Sequence, residues 1–421
     1  MKATLTRRQF LQGVGVVTAA GSFPAIIKAA STRPQIVVVG GGFAGATAAK
    51  YLRHWSTAVD VTLVEPNASY YSCIMSNLVL NNQLNLSQIT FNYTTLTQKY
   101  GVKVVNDWVD SINAPNQTVQ LRNGTTLAYD RLIIAPGVKF LDVPGLDSTK
   151  VPHAWKAGVQ TQLLQQQLAA MPAGGTFVMT IPAAPYRCPP GPYERACVVA
   201  DYLKRNKPGS KVIVLDANAA IVAEKAIFEA AFTNTYGDML QYVPNATLQS
   251  VDSDQKIAYT SAGTYKADVL NVIPAQSAGD ILHTAGLVNV GSKWAGVNPL
   301  SYESTVSPNI HIIGDSQATA QPKAGHIANA EAKVCADAIL RLLAGGQPYG
   351  LPMTNSACYS PITATTASWL SAVFAYDQAS GTMQVVTASN GGAAAPSTKN
   401  YGRMFDWANN LFADTFAYSA L

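Results

Sequence analysis

Two cysteines far apart in the chain carry the reactive chemistry available to this sequence. Cys188 lies in Pro185-Tyr186-Arg187-Cys188-Pro189-Pro190-Gly191-Pro192-Tyr193-Glu194, and Cys358 lies in Ser356-Ala357-Cys358-Tyr359. A thiolate is a nucleophile and a redox group, and its reactivity follows from the charges around it. The prolines around Cys188 remove backbone donors and stiffen the loop, which suits a thiol held in one place. Glu194 follows Cys188 by six residues at the expected start of a helix. It can serve as a base toward a thiol, or as an acid placed at the positive end of the helix dipole. The sequence leaves both roles open.

The loop interrupts a pattern that calls for glycine. A strand over residues 176–181, a helix over 193–204 and a strand over 211–215 ending at Asp216 form a βαβ unit. A nicotinamide-binding unit needs a glycine-rich first turn there. Proline and cysteine occupy it, so electrons are expected to enter through sulfur chemistry and not from a nicotinamide.

An earlier βαβ unit keeps its glycines. Gln35-Ile36-Val37-Val38-Val39 reads as a buried strand, followed by Gly40-Gly41-Gly42-Phe43-Ala44-Gly45 and a helical run over 46–55. This is G-x-G-x-x-G in its required strand–turn–helix setting. Gly40 permits the tight turn, Gly42 lets the backbone approach a pyrophosphate, and Gly45 lets helix and strand touch. The next strand, over 59–64, ends at Glu65, placed to hold a ribose hydroxyl. Tyr129-Asp130-Arg131-Leu132-Ile133-Ile134-Ala135-Pro136-Gly137 resembles the strand and turn that closes the first half of an FAD domain. Ser307-Pro308-Asn309-Ile310-His311-Ile312-Ile313-Gly314-Asp315 resembles the second FAD signature, in which an Asp receives a ribityl hydroxyl. A helix over 327–343 follows Lys323 and His326. Its positive end would stabilise a reduced flavin ring; the two side chains can add to that effect or be solvated.

Thr6-Arg7-Arg8-Gln9-Phe10-Leu11 and the apolar residues 11–27 match a twin-arginine leader, interrupted by Pro24 and expected to end near Ala29 or Ala30. Export to the periplasm is therefore expected. The net charge of +5 owes much to the leader: without Lys2, Arg7, Arg8 and Lys28, 25 Lys and Arg face 24 Asp and Glu. There is no basic stripe, which excludes a nucleic-acid-binding reading. The five cysteines include no C-x-x-C-H haem motif and no metal-ligand spacing.

Taken together, these segments resemble the flavoprotein subunit of flavocytochrome c sulfide dehydrogenase, a relative of sulfide:quinone oxidoreductase in the glutathione-reductase superfamily. The most specific segments are Tyr71-Ser72-Cys73-Ile74-Met75-Ser76-Asn77, the loop from Cys188 to Glu194, and the Cys358 segment. The resemblance implies an α/β fold with two Rossmann-like domains and a small C-terminal α+β domain. The expected boundaries are a leader at 1–30, an FAD domain at 31–145 and 285–350, a second nucleotide-binding-like domain at 146–284, and an interface domain at 351–421. It implies covalent FAD, with a thioether from Cys73 to the flavin 8α-methyl carbon. It further implies a Cys188–Cys358 disulfide beside the flavin, Glu194 as active-site acid, sulfide as substrate, and a separate periplasmic c-type cytochrome subunit as partner. Cofactor contacts are expected from Gly40, Gly42, Gly45, Glu65, Ala135, Gly137, Gly314, Asp315 and Lys323, with no metal. Cys197 and Cys335 then read as inert buried thiols.

The tail from residue 351 reads as a separate small unit with a β segment at 382–388. Trp407, Leu411 and Phe412 fall at helical spacing, either as core or as a docking face. The last eighteen residues hold no Lys or Arg, which argues against a membrane-binding amphipathic helix. Two alternatives stand beside the main reading: a sulfide:quinone oxidoreductase, and a non-catalytic flavin-binding redox protein.

Overall fold

The computed structural model describes residues 33–418 and the backbone of the strand Ile26–Ile27. The leader expected over 1–30 otherwise lies outside the described residues. Among the described residues no helix is long and apolar enough to cross a membrane.

Along the chain run β1 (Gln35–Val39), α1 (Phe43–Trp55), β2 (Asp60–Val64), β3 (Lys103–Val105) and β4 (Arg131–Ile134). Next come β5 (Thr176–Ile181), α2 (Gly191–Asn206), β6 (Lys211–Asp216), β7 (Leu240–Val243) and β8 (Val269–Val272). The last third holds β9 (Ile310–Ile312), α3 (Gly325–Leu343), β10 (Met353–Pro361), β11 (Ala367–Asp377), β12 (Thr382–Val385) and α4 (Thr398–Phe416).

The first sheet has the order β9-β4-β1-β2-β3, all parallel, extended beyond β9 by two short antiparallel strands. Parallel strands are covered on both faces, and Ile36 to Val39 are accordingly all buried. Strand order reverses at β1, so a crevice opens at the carboxyl ends of β1 and β4, where ligands of such sheets bind. The second sheet repeats the plan in the order β7-β6-β5-β8, again all parallel. Its reversal at β5 brings the Cys188 loop to the matching position. The third sheet, β10-β11-β12, is antiparallel.

Helix starts differ from the sequence expectation in an instructive direction. α1 begins at Phe43 and α2 at Gly191, two or three residues early. The end of each turn is already helical, and Pro192 sits in the first turn of α2, where a missing N–H costs nothing. β12 ends at Val385, and Thr387–Ser389 form a tight turn.

The tail is not a self-contained unit. On α4, Met404, Ala408, Leu411, Phe412 and Phe416 fall on one face and join the core that holds Phe43 and Phe91. Phe412 stacks on Phe43 with ring centroids 6.2 Å apart, and Phe416 on Phe91 at 4.7 Å. Apolar burial at four-residue spacing draws this helix onto α1.

Candidate active site

The first turn is built by steric necessity. Gly40 has φ +97°, and a Cβ there would lie 2.3 Å from Ala135 O. A Cβ at Gly45 would lie 1.8 Å from Gly40 O, so close approach of α1 to the turn requires glycine. Gly42 differs: a Cβ would meet protein no closer than Tyr70 Cε2 at 3.4 Å. The protein itself therefore tolerates a side chain there, and the need for glycine comes from the cavity in front of it. No side chain caps α1, whose Gly42, Phe43 and Ala44 face that cavity. Glu65 accepts the Gly41 N–H at 2.8 Å and both nitrogens of Asn67, at 3.0 and 2.8 Å.

Gly137 and Gly314, with φ +70° and +75°, line the same cavity beside Ala135 and Asp315. The Asp315 Oδ1 is buried without a hydrogen-bond partner. Burial pushes the pKa of this carboxyl up, while Arg187, at 3.9 Å, and Lys323 pull it back. An orphan carboxylate oxygen, an uncapped helix start and a glycine with open space ahead of it fit a flavin dinucleotide: the start of α1 would hold its phosphates and Asp315 a ribityl hydroxyl.

Lys323 does not face this cavity. Its ammonium donates to Asp315 O and Gln317 O, both at 2.8 Å, and lies 3.6 Å from the Trp294 ring centroid. Two carbonyls and an aromatic face capture the charge, so the expected contact from this side chain to the cofactor is replaced by a structural one. Its backbone serves the site instead: Lys323 O accepts the Cys188 N–H at 2.7 Å. His326 does line the cavity. Its Nδ1 accepts from Ala357 N at 3.0 Å and Trp407 Nε1 at 3.2 Å, which leaves the ring proton on Nε2.

Cys188 adopts φ +59°, a left-handed conformation unusual for a residue with a side chain. The backbone is held there by Lys323 O and by the Gly191 N–H, which donates to Cys188 O at 2.9 Å. A Cβ on Gly191 would lie 2.7 Å from Cys188 Sγ and 2.8 Å from Trp155 Cη2, so this glycine makes room for the thiol at the start of α2. Burial pushes the Cys188 thiol well up, and Cys358 and Glu194 push it further, while Arg187 and the Gly191 N–H pull it down.

Glu194 reaches the cavity from the first turn of α2. Asn77 Nδ2 donates to its Oε1 at 2.9 Å, and Asn77 Oδ1 accepts from Arg195 Nε at 2.9 Å. Burial lifts the Glu194 carboxyl from 4.5 to about 8; the Asn77 hydrogen bond and Arg195 oppose the rise. That places its proton exchange near neutrality, where a general acid–base works best. Arg195 is 1 % exposed. It donates to His153 O, Ala154 O and Asn271 Oδ1 at 2.8, 2.6 and 3.0 Å, and lies over the Trp155 ring.

Cys73 Sγ lies 3.8 Å from Trp155 O, the same carbonyl that receives Arg187 Nη2. Cys73, Cys188, Cys358 and Glu194 all line one cavity of about 440 Å³, together with Gly40, Gly42, Glu65, Ala135, Gly137, Gly314 and Asp315. All five cysteines are free thiols in the structure, Cys188 and Cys358 included. Burial raises the Cys358 thiol to about 12, with Glu224 and Glu194 adding to it. Cys197 and Cys335 are fully buried in helices.

Sequence reasoning passed over Asn77, Trp155, Arg187, Gly191 and Arg195. Asn77, Arg187 and Gly191 lie inside the segments it singled out, and Arg195 is next to Glu194, but no local pattern marks a buried guanidinium or its partner.

Three family models match parts of the chain. They are pyridine nucleotide-disulphide oxidoreductase over residues 34–180, the central part of the sulfide dehydrogenase (flavocytochrome c) flavoprotein chain over 161–274, and flavocytochrome c sulphide dehydrogenase, flavin-binding, over 351–416. The sulfide dehydrogenase (flavocytochrome c) flavoprotein chain of Chlorobaculum thiosulfatiphilum is 53% identical over 45 residues, which cover 11% of this chain and 94% of that sequence. Mitochondrial sulfide:quinone oxidoreductase of Mus musculus is 22% identical over 296 residues, 67% of this chain and 65% of the relative's length. Among solved structures, the sulfide:quinone oxidoreductase from Aquifex aeolicus superposes with a TM-score of 0.76 at 17% identity, covering 92% of this chain and 93% of that one. That likeness is one of fold, and it matches two Rossmann-like domains followed by a C-terminal domain. With the two sulfide dehydrogenase models covering the Cys188 and Cys358 segments, and a relative 53% identical over the 45 residues that span 94% of its sequence, the chain belongs to the flavoprotein family of flavocytochrome c sulfide dehydrogenase.

Proposed function

We propose that this chain is an FAD-dependent oxidoreductase that oxidises sulfide through a Cys188–Cys358 redox disulfide and passes the electrons to a separate c-type cytochrome in the periplasm. The observation that carries the reading is the convergence of Cys73, Cys188, Cys358 and Glu194 on one cavity with the glycine turn. FAD held in the cradle supplies an acceptor that takes an electron pair and releases electrons singly. Cys73 is its covalent attachment point in this reading.

In the oxidised site, hydrosulfide attacks one sulfur of the disulfide. A bond forms between substrate sulfur and that cysteine, the bond between the cysteines breaks, and the electron pair resides on the released thiolate. Glu194 in its carboxylate form takes a proton from hydrogen sulfide, and Asn77 holds it in place. Arg187, beside Cys188, favours thiolate there. The proline-bordered loop offers no cradle of backbone N–H groups for a nicotinamide dinucleotide.

The test is sulfide-dependent loss of flavin absorbance in the purified protein. Cys188→Ser and Cys358→Ser should each abolish it while the flavin stays bound; full bleaching in both variants would falsify the scheme. A denatured-protein mass spectrum showing FAD on the Cys73 peptide supports the thioether. A quinone acceptor is the second reading, favoured by the extent of similarity to sulfide:quinone oxidoreductases. Comparing reduction of a c-type cytochrome with reduction of a soluble quinone separates the two.

A further inference from the structure

A second buried carboxyl lies against the strand that carries Cys358. Glu224 precedes the short helix Lys225–Ala230 with φ +51° and ψ +36°, at the position where a side chain ordinarily caps the helix, yet it makes no capping bond. Its Oε2 accepts from Ser360 Oγ at 2.6 Å, and its Oε1 is buried without a partner. Burial raises the Glu224 carboxyl, and the Ser360 hydrogen bond opposes the rise; Ser360 and its cross-strand partner Ser368 are both 0 % exposed. Side chains alternate along a strand, so Cys358 and Ser360, two residues apart on β10, share one face. A left-handed residue that forgoes its cap to bury a carboxyl beside a reactive thiol is a costly arrangement with a local purpose.

We infer that Glu224 is a positioning residue for the thiol site: its carboxylate, anchored by Ser360, sets the pH at which Cys358 ionises. This rests on the reading that Cys358 is one of the two reacting thiols. Four titratable groups face the Cys358 segment. They are Glu224, Glu194 from α2, Cys188 from the loop before it, and His326 from α3, bonded to the neighbouring Ala357 N–H. Ser356 is the favourable neighbour. Burial is the largest cause of the raised Cys358 thiol and Glu224 is the next. A negative Glu224 disfavours the Cys358 thiolate, so neutralising it brings ionisation down in pH. Glu224 acts on Cys358 directly, and on Cys188 only through Glu194, which it also raises, so the larger effect falls on Cys358.

The experiment uses the full chain loaded with FAD and reduced with dithiothreitol. Carbamidomethylation of the Cys358 and Cys188 peptides is followed by mass spectrometry from about pH 7 to about pH 10, a range that brackets ordinary thiol ionisation. Glu224→Gln should speed Cys358 labelling about 3- to 10-fold near pH 8 and leave Cys188 within about twofold. Ser360→Ala withdraws a hydrogen bond from the carboxylate, keeps Glu224 neutral to higher pH, and should shift Cys358 the same way by less. An unchanged Cys358 profile in both Glu224→Gln and Ser360→Ala overturns the inference. So does equal acceleration at both cysteines, which reports a loosened fold. If Glu224→Gln fails to fold, Ser360→Ala decides alone. Sulfide bleaching in the same samples tests the functional reading separately: a selective shift without bleaching upholds Glu224's role and refutes sulfide oxidation.

Discussion

Asn77 holds Glu194 by a 2.9 Å hydrogen bond from Nδ2, while its Oδ1 is fixed at 2.9 Å by the buried Arg195 guanidinium. The amide thus has one orientation, dictated by a group that can only donate. Glu194 is in this way positioned by a residue 117 positions away in the chain.

Asn77→Ala removes the one hydrogen bond that opposes the rise of the Glu194 carboxyl. The Glu194 carboxyl should then hold its proton to still higher pH. Sulfide-dependent flavin reduction should then need higher pH, with the acid limb of its pH–rate profile displaced toward alkaline values. Stopped-flow reduction measured across pH checks this; an unmoved limb means that Glu194 is not the titrating group.

Glu194 also makes a thermodynamic prediction. Its carboxyl is raised in the folded state, from 4.5 to about 8. Through that window the folded protein binds more protons at this site than the unfolded chain, so stability falls as pH rises. Glu194→Gln removes the penalty. Its melting temperature should equal the wild type near pH 5 and exceed it near pH 8, by the equivalent of about 1–2 kcal/mol once partial exposure is discounted. Calorimetry at the two pH values gives the difference.

Gly191→Ala forces a methyl group to within 2.7 Å of Cys188 Sγ. Overpacking of this kind costs about 1–3 kcal/mol. The thiol must move, and sulfide-dependent reduction should fall by about tenfold or more, since misplacement near 1 Å has effects of that order. Flavin content should stay unchanged, which separates this variant from a cofactor-binding defect.

Gly42→Ala and Gly45→Ala should part company. At Gly45 the added carbon lies 1.8 Å from Gly40 O, so the turn itself must deform and the melting temperature should drop. At Gly42 the protein has room, and the loss should be in bound flavin alone. Flavin absorbance per protein and thermal melting, measured side by side, read out the two effects. A Gly42→Ala variant with full flavin content contradicts the assignment of the turn to phosphate binding.

The glycine turn was legible because its requirement is local: a φ of +97° at Gly40 and a backbone contact at Gly45 admit no other residue. Cys188 drew attention for a similar reason, since prolines on both sides restrict its backbone wherever the chain goes. Lys323 was misread because a lysine near a helix start can point either way. Its direction was settled by two carbonyls and by Trp294, which lies 29 residues earlier in the chain. Glu224 carried no signal at all, because its significance lies in Ser360, 136 residues distant.

By itself the sequence determined two strand–turn–helix units, one with glycines and one without, and an apolar face on α4. Each depends on backbone sterics or on residue spacing within a few turns. Only the tertiary structure decided that Cys73, Cys188 and Cys358 open into one cavity, and that α4 completes the first core instead of forming a unit of its own. These thiols come from three segments whose meeting is governed by how two parallel sheets and an antiparallel one pack. Packing of that kind is a sum over many distant apolar contacts, and no short stretch of chain contains it.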